Sequence, residues 1–188
     1  APLDIVVREV QDDLKVDEVH SLFGSIRLTV AESPGSGENL LVAASRSVTA
    51  DQGAITLLAG DHLTILKFGT VTAFGPVVIM AHYNNSDPGV GGVVHIARSV
   101  TAEYAEIYGQ FDDDIVSLTN VTPGTETTVM LDVGDDLVHV GSNSLPEANV
   151  NGTLNDIRAL LTLLGEEGMD TFIADETGDT TPNTGALT

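Results

Sequence analysis

Cysteine and tryptophan are both absent, and the aromatic residues make up only 4% of the 188 residues. Without thiols neither a disulfide framework nor a thiolate metal site can form, so stability must come from packing, backbone pairing and bound ions. Basic residues are nearly as scarce, with 7 Lys and Arg against 28 Asp and Glu and a formal net charge of -21. A chain this negative repels phosphate backbones and anionic headgroups, which excludes most nucleic-acid binders. No apolar run approaches the length of a membrane span, so no membrane insertion is expected. The opening Ala1-Pro2-Leu3-Asp4 lacks the basic and apolar regions of a signal peptide, and the chain reads as a mature product or as one piece of a longer one.

What is abundant points to strands. Hydrophobic residues reach 42%, too many for a disordered acidic tail, and Val (22), Thr (20) and Ile (10) dominate. β-Branched side chains fit a pleated surface and lose rotamer freedom in helices. Short apolar runs recur at residues 4–10, 14–19, 26–30, 40–44, 54–58, 63–66, 77–81, 93–97, 105–108, 115–118, 128–131, 137–140 and 171–174. Turn-forming residues fill most of the gaps, which predicts an all-β protein.

Sandwich, barrel and solenoid all satisfy that pattern, and internal similarity separates them. Arg46-Ser47-Val48-Thr49-Ala50 recurs as Arg98-Ser99-Val100-Thr101-Ala102, and Val-Thr-Ala appears a third time at Val71-Thr72-Ala73. The intervals match one coil of a solenoid or slightly more. The expected fold is therefore a right-handed parallel β-helix (β-solenoid), a single domain over residues 1–188 with a more acidic part from about residue 103. One stretch resists: Leu154, Ile157, Leu160, Leu161 and Leu164 recur at helical spacing, so a short helix near 154–164 is expected as a cap, with a strand in register with 171–174 as the alternative.

The strongest local motif is Gly165-Glu166-Glu167-Gly168-Met169-Asp170-Thr171-Phe172-Ile173, which follows the nonapeptide G-G-x-G-x-D-x-U-x with Glu166 in place of the second Gly. Looser copies include Gly109 to Ser117, and Gly134, Asp136 and Val138. In such a motif Gly exposes backbone carbonyls and Asp supplies a hard oxygen, a combination suited to Ca²⁺. Residues 103–188 hold 17 acids and one base, Arg158, against 11 acids and 6 bases before them. Packed carboxylates repel unless cations or water screen them. The candidate metal ligands are Asp112, Asp114, Asp135, Asp136, Asp170 and Asp175, with Ca²⁺ as the candidate cofactor. The competing reading is that each Gly-x-Asp forms a tight corner leading into the next strand.

Catalytic patterns are thin. His20, His62, His82, His95 and His139 form no H-E-x-x-H arrangement, and no G-x-S-x-G elbow occurs. Gly89-Val90-Gly91-Gly92 lacks the Lys-Ser/Thr of a phosphate loop and reads, with residues 84–88, as a long turn. Three Asn-x-Ser/Thr triplets, at Asn84, Asn120 and Asn151, hint at surface exposure. No enzymatic activity is expected.

Ile26-Arg27-Leu28-Thr29-Val30, Val48-Thr49-Ala50 leading into Ala54-Ile55-Thr56-Leu57, and Asn151-Gly152-Thr153-Leu154 through Asp170-Thr171-Phe172-Ile173-Ala174-Asp175 resemble the repeat regions of giant secreted bacterial surface proteins. Those are the filamentous-haemagglutinin-like and haemolysin-type calcium-binding families. The likeness spans roughly residues 4–179. It implies a solenoid on the cell surface, extracellular, serving as filament, sheath, surface layer or adhesin, with calcium at Gly-Asp turns. A solenoid exposes unpaired strand edges at its two ends, and head-to-tail contacts that do not close generate fibres. The expected partner is thus another copy or tandem repeat, meeting through Asp4, Ile5, Val6 and Val7 at one end and Thr171, Phe172, Ile173 and Ala174 at the other. The alternatives are a calcium-dependent adhesin binding glycans and a carbohydrate-active β-helix enzyme.

Overall fold

A computed structural model describes residues 3–34, 37–84, 89 and 91–180. The described chain is all β, with no helix. Its first eight strands are β1 (Ile5–Glu9), β2 (Leu14–Ser21), β3 (Ile26–Val30), β4 (Leu40–Ala50), β5 (Ile55–Leu58), β6 (His62–Ile65), β7 (Thr70–Ala73) and β8 (Val77–Met80). The remaining eight are β9 (Val93–Ile96), β10 (Val100–Thr101), β11 (Tyr104–Tyr108), β12 (Ile115–Leu118), β13 (Glu126–Met130), β14 (Leu137–Val140), β15 (Leu161–Leu164) and β16 (Thr171–Ala174). Residues 85–88 and 90 of the expected long turn lie outside the described residues.

The strands form two large parallel sheets. The first has seven strands in the order β1-β3-β5-β8-β11-β13-β15, and the second nine, in the order β10-β7-β4-β6-β9-β12-β14-β16 with β2 added against β4. The chain passes back and forth between the sheets, twice laying two strands in succession in the second (β6 and β7, β9 and β10), and each new strand lands beside one laid down earlier in the same sheet. Every strand pair is parallel, so the connection must leave the sheet and come back, as parallel pairing always requires.

Register converts this path into columns of side chains. In the first sheet Val7, Leu28, Leu57, Ile79, Ile107, Val129 and Leu163 are successive partners. In the second, Leu14, Leu40, Leu63, Val94, Val116, Val138 and Phe172 are likewise aligned. The central members of both columns are buried, Leu28, Leu40, Leu57, Leu63, Ile79 and Val129 completely. They belong to one continuous hydrophobic cluster between the sheets. Like side chains on like side chains suit Val, Ile and Leu, whose staggered rotamers interlock along a pleated surface.

β4 bends within its length. Leu40–Val42 pairs with β6, whereas Ser47–Ala50 pairs with β7, and Ser45 takes a left-handed φ of 59° between the two halves. The second half begins a third strip of parallel pairing, in which Val19, Val48, Val71 and Val100 are partners. The three Val-Thr-Ala copies of the sequence are therefore stacked on one another in register. A single bridge between Val121 and Ile157 forms a further parallel pairing outside the named strands.

The helix expected near 154–164 does not form. Ile157 sits in that bridge, Leu161–Leu164 is β15 in the first sheet, and Leu154 and Ile157 are joined by a turn hydrogen bond. Of the expected stripe, Leu154, Ile157 and Leu161 pack on the core from a turn, a bridge and a strand, whereas Leu160 and Leu164 are exposed. The strand alternative in register with 171–174 also fails, because β15 pairs with β13 in one sheet while β16 pairs with β14 in the other.

Candidate functional site

Where the chain turns into the second sheet, Gly92, Asp114, Asp136 and Asp170 each occupy the residue before the strand, in mutual register. Regular pairing lapses at this corner, so its backbone N–H groups need other acceptors. Asp114 Oδ1 accepts from Gly92 N at 2.5 Å, Asp136 Oδ1 from Asp114 N at 2.7 Å, and Asp170 Oδ1 from Asp136 N at 3.2 Å. A second ladder runs the opposite way, since Asp113 Oδ1 accepts from Asp135 N at 2.9 Å and Asp135 Oδ1 from Met169 N at 2.8 Å. Adjacent aspartates thus tie each corner to the corners on both sides.

The position two residues before the aspartate needs a left-handed backbone. Asp112 there has φ 73°, Gly134 156° and Gly168 138°. Space is also short: a Cβ on Gly168 would lie 1.7 Å from the Gly134 carbonyl oxygen, and one on Gly134 2.2 Å from that of Asp112. Gly-x-Asp is accordingly a corner motif here, its glycine required by close backbone approach and its aspartate by unpaired amides.

Electrostatics follow burial. Asp114 and Asp136 are 3% and 1% exposed. Burial pushes Asp114 up to about 6, opposed by its N–H bonds from Gln110 and Gly92 and by His82, and assisted by Asp112. Asp136 is pushed up to about 7, again by burial first, with the Asp114 N–H bond opposing and the carboxylates of Asp114, Asp170 and Asp113 adding. Asp136 Oδ2 is buried and has no hydrogen-bond partner.

The expected metal residues are therefore only partly brought together. Asp112, Asp114, Asp135, Asp136 and Asp170 share one corner column, while Asp175 follows β16 elsewhere. Its carboxylate accepts from Thr177 Oγ1 and N and from Gly152 N, bonds that hold it below the usual carboxylate range. Among the described residues no three His, Asp or Glu side chains already converge on a single metal-sized point.

The ends of the sheets are the second candidate. Ile5 and Val7 occupy inward positions beside fully covered Ile26 and Leu28, yet are only half-buried. Val6 faces outward and is 68% exposed. Asp4 is engaged within its own chain, accepting from Ser25 N at 2.8 Å. At the other end all four residues of β16 are exposed, including Phe172, whose partner Val138 is 2% exposed. Near β1 an open groove of about 640 Å³ is lined by Leu3, Ile5, His20, Ser21, Leu22, Phe23 and Gln52.

Of the Asn-x-Ser/Thr triplets, Asn151 is exposed with φ 56°, and Asn120 Oδ1 accepts from Thr122 Oγ1. Asn84 donates its N–H to Gln110, while Asn85 and Ser86 lie outside the described residues.

Two features escaped the sequence reading. His95 Nδ1 lies 3.1 Å from Ser117 Oγ, which lies 2.7 Å from Ser144 Oγ. The three are 9%, 0% and 1% exposed, and burial pushes the His95 pKa down. No spacing rule links residues 95, 117 and 144: the register of β9 and β12 aligns His95 with Ser117, and the turn after β14 brings Ser144 to Ser117. Polar corners beyond the Gly-x-Asp motif were missed as well: Asp13 Oδ1 accepts from Asn39 N, and Asn39 Oδ1 from His62 N. Comparison with family models, curated proteins and solved structures returned no match.

Proposed function

We propose that this chain is a right-handed parallel β-helix acting as a structural, extracellular element, which builds a filament, sheath or surface layer by head-to-tail stacking. The observation carrying this reading is the phase of the two ends. The first sheet runs from β1 to β15 and β2 and β16 border the second, so a following copy would place its β1 on β15 and its β2 on β16 without any break in the columns. Inward side chains lose cover at those same ends, as Val7 and Phe172 do. Burying them against a second copy removes apolar area from water and pairs the free strand edges. Charge favours the same polarity: six of the seven bases lie in residues 1–102, and 17 of the 28 acids after them. Two C-terminal ends repel each other more than unlike ends do. Resemblance to the surface-protein repeat families supports the location, and a mechanical role needs no catalytic residues.

Calcium at the corner aspartates is an added element of this reading, favoured by the buried Asp136 Oδ2, which no protein donor reaches. A melt with and without chelator tests that part, since a ligand bound only to the native state raises stability. Stacking itself is tested by sedimentation velocity over a concentration series, on the chain as it stands and on Phe172→Asp. Linear oligomers that grow with concentration and vanish in the variant are the expected result. A monomer at every concentration, or assembly indifferent to the substitution, overturns the proposal.

A further inference from the structure

Two corners flank the second sheet, and their surfaces are opposite in charge. The first lies where β4 bends, between β6 and β7, and between β9 and β10, and it carries Arg46, Lys67 and Arg98, three of the seven bases in the chain. Phe68 stands among them, 57% exposed and with a left-handed φ of 67°. Lys67 Nζ lies 5.7 Å and Arg98 Cζ 5.8 Å from its ring centroid. Arg46 faces Asp17 at 3.7 Å, whereas neither Lys67 nor Arg98 has a carboxylate partner among the described residues. A bulky side chain rarely adopts a positive φ, and burial does not hold this one there; backbone strain of that kind collects at functional surfaces. The second corner lies just before β12, β14 and β16. Phe111, Val133 and Glu167 are successive partners there in single parallel bridges. Phe111 and Val133 are 50% and 39% exposed and Met169 79%, and the exposed Asp113, Glu166 and Glu167 belong to the same corner.

Each corner combines exposed apolar side chains with charge, positive at the first and negative at the second, which is the composition of two matching halves of an interface. Within one copy they do not meet. The basic corner follows the second-sheet strands and the acidic corner precedes them, about 13 Å apart along a four-residue strand, and the two occupy different strands in the sheet order. We propose that the acidic corner of one copy docks on the basic corner of a second copy lying beside it. The inference rests on the end-to-end reading above: a fibre repeats the two patches along opposite edges of its second sheet, so a contact too weak for single copies of charge -21 is multiplied along the fibre, and fibres join side by side into a layer. The contact is heterologous and does not close, which is the symmetry a layer requires. It uses exposed carboxylates and is independent of calcium at the buried Asp136 Oδ2.

The test is electron microscopy of fibres grown with chelator in about 0.15 M salt, where the Debye length is about 8 Å and only facing charges count. The samples are the parent, Lys67→Glu/Arg98→Glu, Glu166→Lys/Glu167→Lys, and an equal mixture of those two variants. The parent should give side-by-side sheets and each charge variant single fibres, while the mixture should give sheets again, because it restores opposite charges across the contact. Phe68→Gly, which suits the left-handed backbone and leaves the core intact, should also give single fibres. Single fibres in the parent, sheets that survive in any of the three variants, or a mixture that stays unbundled overturn the lateral contact alone. Sheets lost from Lys67→Glu/Arg98→Glu yet kept by Glu166→Lys/Glu167→Lys would mean that the basic corner holds some other anion. Discrete particles in every sample overturn end-to-end stacking and the lateral contact with it.

Discussion

Replacing Asp136 with Asn should change the pH dependence of stability in a direction opposite to that of an ordinary carboxylate. Asp136 is 1% exposed, and burial raises its pKa from 3.8 to about 7. Between those two values the unfolded chain has released the proton while the folded chain still holds it. Stability contributed by this group is therefore full below about pH 4, falls as pH rises through the window, and is lost above about pH 7. A shift near three units corresponds to about 4 kcal/mol at 1.36 kcal/mol per unit, and relaxation and screening bring the expected figure to roughly 2–4 kcal/mol. Asn keeps the Oδ1 acceptor for the Asp114 N–H and cannot ionise. Its extra N–H₂ has no acceptor at the buried Oδ2 position, a cost independent of pH, so the diagnostic is the change between two pH values and not the offset at one. Urea and thermal unfolding at pH 5 and pH 8, in chelator, should show the parent losing about 5–10 °C relative to the variant on going to pH 8. An offset equal at both pH values would refute the reasoning, because it would mean that Asp136 ionises normally in the fold.

Other substitutions probe the packing and the corners. Leu57→Ala, at a fully covered position in the middle of the first-sheet column, should cost about 2–5 kcal/mol in urea unfolding, whereas Leu163→Ala, at the half-buried end of the same column, should cost under about 2 kcal/mol. Equal costs would mean the column is not buried as described. Gly53→Ala places a Cβ 2.3 Å from the Gly24 carbonyl oxygen, backbone against backbone, and should cost about 1–3 kcal/mol or more by the same assay. His95, kept neutral by burial beside Ser117, should lose stability as pH falls through the ordinary histidine range near 6.5; His95→Gln should flatten that acid limb in the same unfolding series.

Much of the fold was legible because its units are short and repetitive. Period-two runs located twelve of the strands closely and only the first part of β4, and the Val-Thr-Ala copies marked residues that stack as Val48, Val71 and Val100. Gly-x-Asp was readable as a corner, since glycine and aspartate answer a left-handed backbone and unpaired amides at Gly134, Asp136, Gly168 and Asp170. Residues 154–164 misled because Leu154 in a turn, Ile157 in a bridge and Leu161 in a strand reach one core at a spacing that a helical face would share, while Leu160 and Leu164 are exposed. The buried Glu38 and Asp61 were hidden for a different reason: Asp61 Oδ2 accepts from Glu38 N across 23 residues, a spacing that follows no motif.

Electron cryo-microscopy of the concentrated protein measures the stacking of copies most directly. Seven first-sheet strands at a spacing of about 4.8 Å give an expected subunit repeat of about 34 Å along a fibre whose strands lie across its axis. Fibres with that repeat, continuous through the β15–β1 junction, are the predicted result. Discrete particles alone, or fibres whose repeat bears no relation to seven strands, would contradict end-to-end stacking.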